Sequence, residues 1–426
     1  MTPHHHTAHR AHKPRAASLS RRGRPRRLGR WLVLLAGLCG LLGWALAARL
    51  PQRARGDGQT LVVRKGGTYS GTYYSPDSQV PCVRIATTEP VILRDCVLRG
   101  AGNLIEAMNG GARLTVVNCR GYGLPPSADD ARHGRFVVVV QGRSVRVEHN
   151  YFEGTTGIDI YQWSGNGTPG QTLTVRYNQS RNIDGRLRNG GEANSNFLGL
   201  NALPGLENIE VAWNEVINEP DKSLVEDNIN FYNSGGTRRS PARVHDNYIR
   251  GAYPFPATLP DYTGSGITMD GDGKAALSVT AYVEAYRNQV LSTCNAAMNI
   301  AAGHDNHFYN NRMVSAGRLP DGTRLRANWA ATAVWNASER PKTVFFNNTI
   351  HNNTIGYVHW GTTAPLADRQ DLSPRECPFC PNNVLLPSPI TLQTEQAEWV
   401  RWQQKLRQQG VQVGPVPPGR RPSPLK

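Results

Sequence analysis

The chain is poor in acid at one end, in paired cysteine motifs and in helical sequence, and each shortage excludes something. Its first 55 residues hold twelve Arg or Lys and no Asp or Glu. The formal charge of +16 therefore belongs largely to that end, because the rest carries 36 basic against 32 acidic side chains, a net of +4. So mildly basic a body does not demand nucleic acid, and no nucleic-acid partner is expected, whereas an acidic polysaccharide is compatible with it. Cys-x-x-Cys occurs once, as CPFC ending at Cys380, in a Pro-rich setting without a βαβ pattern. A four-cysteine zinc site and a thioredoxin-like motif fall away, leaving a local disulfide in an oxidising compartment. Cys82, Cys96 and Cys119 read instead as small inward stacking residues.

Long apolar runs are also scarce. The exception is Trp31 to Ala48, eighteen uncharged residues directly after the run RRGRPRRLGR. That length crosses a bilayer, and the positive-inside rule leaves the body outside the cytoplasm, in the periplasm or at the cell surface. Residues 31–50 are thus expected to be a transmembrane anchor. The rival is a signal segment cleaved after Ala45-Leu46-Ala47, which would release a secreted body. Residues 1–30, with His4, His5 and His6, read as a basic disordered tail, and residues 51–60 as a linker.

What the sequence has in quantity is one repeated sentence. SVRVEHNYFEGTTGIDIY (144–161) reads as strand, tight corner, strand: Val145 and Val147 alternate with Arg146 and Glu148, and Asn150 marks the corner. Corresponding corners are Asn118, Asn178, Asn214, Asn247, Asn288, Asn311 and Asn348, at spacings of 32, 28, 36, 33, 41, 23 and 37 residues from Asn118 onward. Units of uneven length with a fixed strand and corner are stacked repeats. No unit has room for a regular helix, so leucine-rich and ankyrin-type arrays fit badly, whereas a coil of short parallel strands tolerates loops of any length at its corners. Identical amides stacked rung on rung are expected to hydrogen-bond along the stack.

This pattern, over roughly Leu61 to Trp360, resembles the right-handed parallel β-helix superfamily that contains pectate lyases, rhamnogalacturonases, chondroitinase B and alginate epimerases. The resemblance implies an all-β, right-handed parallel β-helix over residues 61–361. It also implies action on a polysaccharide, although the superfamily includes adhesins and tailspikes. After it, residues 362–410 hold a Pro-rich segment and a helix with Trp399, Trp402 and Leu406 at spacings of three and four, expected to cap the last coil. Residues 411–426 read as a disordered tail.

The second strands of successive units align as GIDIYQW, FLGLNAL, NINFYNS, GITMDGD and AMNIAAG. With their apolar residues inward, three rows face out: Asp159, Gly199, Asn230, Thr268, Asn299; Tyr161, Asn201, Tyr232, Asp270, Ala301; and Trp163, Leu203, Ser234, Asp272, Gly303. From corner Asn to the second strand's first apolar residue takes 8, 20, 15, 20 and 10 residues, so the long loops sit in the middle. Such loops would wall a groove, with Tyr161, Trp163, Tyr232, Tyr253 and Tyr262 available to stack on sugars.

Asp270 and Asp272 are the expected catalytic residues, a carboxylate pair on one strand and face suited to acid–base work. Asp159, Tyr161, Trp163, Asn201, Asn230 and Tyr232 would bind substrate. An elimination reaction needs the uronate carboxylate neutralised, by Asn230, Asn201 or a Ca²⁺ held by Asp270 and Asp272, and a base such as Tyr232, Lys222 or Arg186. The motif sets of the polygalacturonase-like enzymes are not matched. The expected function is therefore cleavage of a polysaccharide as a lyase or glycoside hydrolase, with non-catalytic glycan binding or scaffolding as the alternative. His245, His304, His307 and His351 read as corner and surface histidines.

Overall fold

A computed structural model of the chain describes residues 52–53, 59–260, 264–272, 279–326, 329–359, 369–372 and 380–417. The expected N-terminal tail, the membrane or signal segment, Cys377 and Tyr262 lie outside the described residues. Among those described, no helix is long and apolar enough to cross a membrane.

Strand follows strand through three sheets in rotation. Gly157–Trp163 belongs to the first sheet, Leu173–Arg176 to the second and Gln179–Arg181 to the third, after which Asn196–Asn201 returns to the first. Among the described residues the sheets hold ten, eleven and eleven strands, and each strand pairs in parallel with the one a full turn later. This is a parallel β-helix, as the alternating patterns required. In Ser144–Glu148 the valines are buried and the residues between them half-buried. Inside the coil like stacks on like: Phe136, Phe152 and Phe197 lie at centroid spacings of 4.4 and 5.7 Å with nearly parallel rings.

The corner between the second and third sheets explains the repeated asparagines. Each corner has one residue in the left-handed region (His149, Tyr177, Trp213, Asp246, Arg287 and Asn310, with φ between 54° and 60°) followed by a buried Asn. That conformation costs a non-glycine residue about 1 kcal/mol or more, and the amide ladder offsets it. Asn150 donates its backbone N–H and its Nδ2 to Asn178 Oδ1 at 3.1 and 2.9 Å, and Nδ2 also reaches Val116 O at 3.0 Å. The same bonds continue through Asn214, Asn247, Asn288, Asn311, Asn353 and Asn383. Two expected members stand elsewhere. Asn118 is itself the left-handed residue (φ 60°), and Cys119 occupies the ladder position, donating its N–H to Asn150 Oδ1 at 2.8 Å. Asn348 accepts from Asn306 at another corner. Cys96 and Cys119 are thus inward stacking residues; with Cys82 they are buried free thiols, Cys294 is buried too, and Cys380 is disulfide-bonded.

The helix Leu392–Gln409 forms with a Thr391–Thr394 capping box and ends at Gly410 (φ 63°). It does not close the end of the coil as expected. It lies along the outward face of the third sheet, because its buried side is partly polar and matches that face. Glu398 accepts from Arg312 at 2.7 Å through both oxygens and from Gln289 at 2.9 Å. Glu395 takes Ser292 Oγ and the Ala316 N–H, and Trp402 stacks on Tyr248 while donating to Glu215 at 2.9 Å. Residues 411–417 are also ordered by contacts: Gly414 N–H donates to Tyr177 O at 2.7 Å and Val416 N–H to Asn118 Oδ1 at 2.5 Å.

Candidate active site

The outward face of the first sheet reproduces two of the three expected rows. Asp159 pairs with Gly199, Gly199 with Asn230, Asn230 with Thr268 and Thr268 with Asn299. Tyr161, Asn201, Tyr232 and Asp270 form the second row in the same register. The third row fails because the strands end first. Chain reversal at Ala202 (φ 62°) and Asn233 (φ 48°) turns Leu203 and Ser234 into the interior. Trp163 packs partly buried against the core, with Nε1 on Gln171 O at 3.3 Å.

A break in the alternation then changes which carboxylates meet. The register shifts between Gly157 and Ile158, which pair with Asn196 and Leu198. Phe197 is the extra residue there; in the next strand Asp227 pairs with Ser265, and Asn228 turns fully inside. A bulge re-aims side chains, and beside it the broken alternation leaves a carboxylate on the outward face. Asp227 accepts from Asn230 Nδ2 at 2.7 Å and from Thr268 Oγ1 at 2.8 Å. The Asn230 side chain also favours the charged form of Asp270, so this expected substrate ligand lies between two carboxylates. Despite its donors, Asp227 is pushed up to about 6, first by burial and then by the neighbouring Asp270 charge. Burial raises Asp270 as well. Glu226 is solvent-accessible, yet protein crowded around its carboxyl, followed by Asp227, Asp270 and Glu192, pushes it up to about 8.

Asp272 lies beyond the end of the strand, past Gly271 (φ 157°), where any Cβ would meet Asn233 Oδ1 at 2.5 Å. Its N–H donates to Asn233 Oδ1 and its carbonyl accepts from Arg340 at 2.7 Å. The Asp270 charge thus acts directly on Asp227. Both Asp272 and Asp270 still act on Tyr232, whose hydroxyl is raised by burial and then by these two charges.

The loops from the third sheet to the first do stack into a wall: Arg132 bridges Leu187, Asp184 bridges Leu224, and the Arg186 guanidinium lies 4.4 Å from the Phe255 ring centre. Within it is a cavity of about 740 Å³ lined by His133, Asp184, Arg186, Leu187, Leu224 and Phe255, among others. Tyr253, expected to face the groove, is instead fully buried beneath the loops with Ala257, Cys294, Leu319 and Leu325. Lys222 and Arg186 are held by Glu219 and Asp184, each at 2.7 Å. Arg132 and Arg135 reach the groove from the same wall. Arg135 lies 3.3 Å from Asp159 and donates to Thr156 O at 2.8 Å, while burial and then Arg135 push Arg132 down to about 10. The four histidines singled out by the sequence are remote from this face, unlike His133 of the wall. His245 bonds Asp246, His304 bonds Asp305 and His307 bonds Thr349, all from the second sheet.

Glu226, Asp227, Arg132 and Arg135 are the site residues that alternation alone missed. Two adjacent acids immediately before a strand were the available signal for Glu226 and Asp227. Among the described residues, no group of three or more His, Cys, Asp or Glu side chains is placed to hold a metal ion.

The chain is therefore an all-β parallel β-helix with a helix along its third sheet and a carboxylate-bearing outward face on its first. No protein-family model matches it, and no curated protein does. Among solved structures it is similar to a mannuronic-acid-specific polysaccharide family 6 lyase from human gut microbiota. That likeness has 12% identity and a TM-score of 0.35, over 83% of this chain and 91% of that one, too slight to bear on activity.

Proposed function

We propose that this protein cleaves a polysaccharide by acid–base hydrolysis in the groove on the first sheet. The observation that carries the reading is the cluster of Glu226, Asp227 and Asp270, three neighbouring carboxyl groups all displaced upward. Groups pushed apart in proton affinity supply opposite roles at one pH. At neutral pH Glu226 holds its proton and gives it to the glycosidic oxygen as the C–O bond breaks. Asp227, with the lower value of about 6, takes the proton of the attacking water, beside Asp270. The products are two shorter glycans, one with a new reducing end.

Elimination is less well supported. Its candidate bases are engaged or unfavourable: Lys222 and Arg186 are ion-paired, and Tyr232 has its hydroxyl raised rather than lowered. Export through residues 31–50, as an anchor or a cleaved signal, belongs to the same proposal, since an extracellular glycan requires it. The test is incubation of the full chain with neutral and acidic polysaccharides, with Ca²⁺ and with chelator, following reducing ends and ultraviolet absorbance of unsaturated uronates. Reducing ends without absorbance support hydrolysis, and both together would establish a lyase. Glycan binding without either would leave a non-catalytic binding protein.

A further inference from the structure

We infer a second glycan-binding element on the same face, a sugar-stacking subsite at Trp335; this rests on the reading of the first sheet as a polysaccharide groove. Thr332–Val334 pairs with Met298–Ile300, placing Val334 opposite Ile300. Ala301 and Trp335, which follow, extend the row of Tyr161, Asn201, Tyr232 and Asp270. At about 4.8 Å per rung, Trp335 lies ~10 Å beyond Asp270, and Tyr161 ~14 Å to the other side. Both rings are open to water, Trp335 at 47% and Tyr161 at 42%. The carboxylate cluster thus sits between two exposed aromatic platforms in one line, and pyranose rings present the apolar C–H faces that such platforms bind.

The indole is held in place. The backbone N–H of Trp335 donates to Ile300 O at 2.8 Å, fixing the strand end that carries the ring, and the turn behind it is closed by Asn336 bonding Arg340 twice, at 2.8 and 2.9 Å. Arg340 then donates to the Asp272 carbonyl at 3.1 and 2.7 Å, tying this turn to the segment that follows Asp270. Trp329 meets Trp335 edge-to-face, with centroids 6.1 Å apart and planes at 74°, which restricts its rotation. A second aromatic line lacks this property. His245, Tyr286, Tyr309 and His351 on the second sheet stack at 4.9, 5.2 and 5.7 Å and nearly parallel, so neighbouring rings cover one another's faces.

The test is titration of the full chain, Trp335→Ala and Trp335→Phe with cello-, galacturonate and mannuronate oligosaccharides of two to eight units, by intrinsic fluorescence and calorimetry. Wild-type protein is expected to bind at least one series. Alanine should weaken that binding about tenfold and phenylalanine should largely restore it, with melting temperatures alike. Equal affinity in wild type and Trp335→Ala, or no binding across the series, overturns the subsite. Asp227→Asn separates the two ideas. Retained turnover in that variant sinks the catalytic reading while leaving the Trp335 result standing, and lost turnover with unchanged Trp335→Ala affinity does the reverse.

Discussion

Replacing Asp227 by Asn should make the protein less stable in acid and more stable at neutral pH. The carboxyl is buried and its proton affinity is raised from an ordinary value near ~3.9 to about 6 in the fold. A raised folded value means that the fold favours the protonated form. This contribution to stability is complete below pH ~4 and is lost as pH rises through about 6. At about 1.4 kcal/mol per tenfold, the wild-type protein forfeits ~3 kcal/mol between pH 4 and pH 7.5 through this one group. Asparagine does not ionise and forfeits none of it. It keeps one acceptor oxygen for Thr268 or Asn230 and sets an N–H against the other, a pH-independent cost of about 1 kcal/mol. Urea unfolding should therefore find Asp227→Asn ~1 kcal/mol less stable at pH 4 and ~2 kcal/mol more stable at pH 7.5. Parallel stability curves for the two proteins across that range would refute the claim that Asp227 is strained by burial and by Asp270.

Other consequences concern activity and scaffold. Turnover should follow a bell, rising as Asp227 ionises near pH 6 and falling as Glu226 deprotonates near pH 8, the limbs belonging to the cluster as a whole; a rate flat from pH 5 to 9 would count against it. Asn214→Ala leaves the Asn178 backbone N–H and amide without their buried acceptor and should cost ~3 kcal/mol in denaturant unfolding, against less than ~1 for Asn118→Ala outside the ladder. Glu398→Ala strips acceptors from Arg312 and Gln289 and should cost ~2–3 kcal/mol, read as a lowered melting temperature and faster proteolysis of the C-terminal helix.

Period-2 alternation and the corner asparagines made the coil and the register of its first sheet legible, because buried strands tolerate no slip. The ladder's ends were misread for a local reason. In doublets such as Asn310-Asn311 and Asn352-Asn353 the first residue takes the left-handed corner and the second the ladder. The pattern around Asn118 and Asn348 does not say which residue does which. The proposed catalytic partner of Asp270 was hidden because the alternation breaks at Asp227 and Asn228, and alternation was the only rule that assigned faces. The helix looked like a cap since its tryptophans show a packing stripe; what sends it to the third sheet is Glu395 and Glu398, whose donors are far away in sequence.

The most direct test of the catalytic account is turnover in wild type, Asp227→Asn and Asp270→Asn, measured as reducing ends released from the polysaccharide that the wild-type protein cleaves. The prediction is a loss of about 100-fold or more in each variant with cooperative unfolding preserved, as when a positioned acid or base is removed. Folded variants that cleave at the wild-type rate would contradict it.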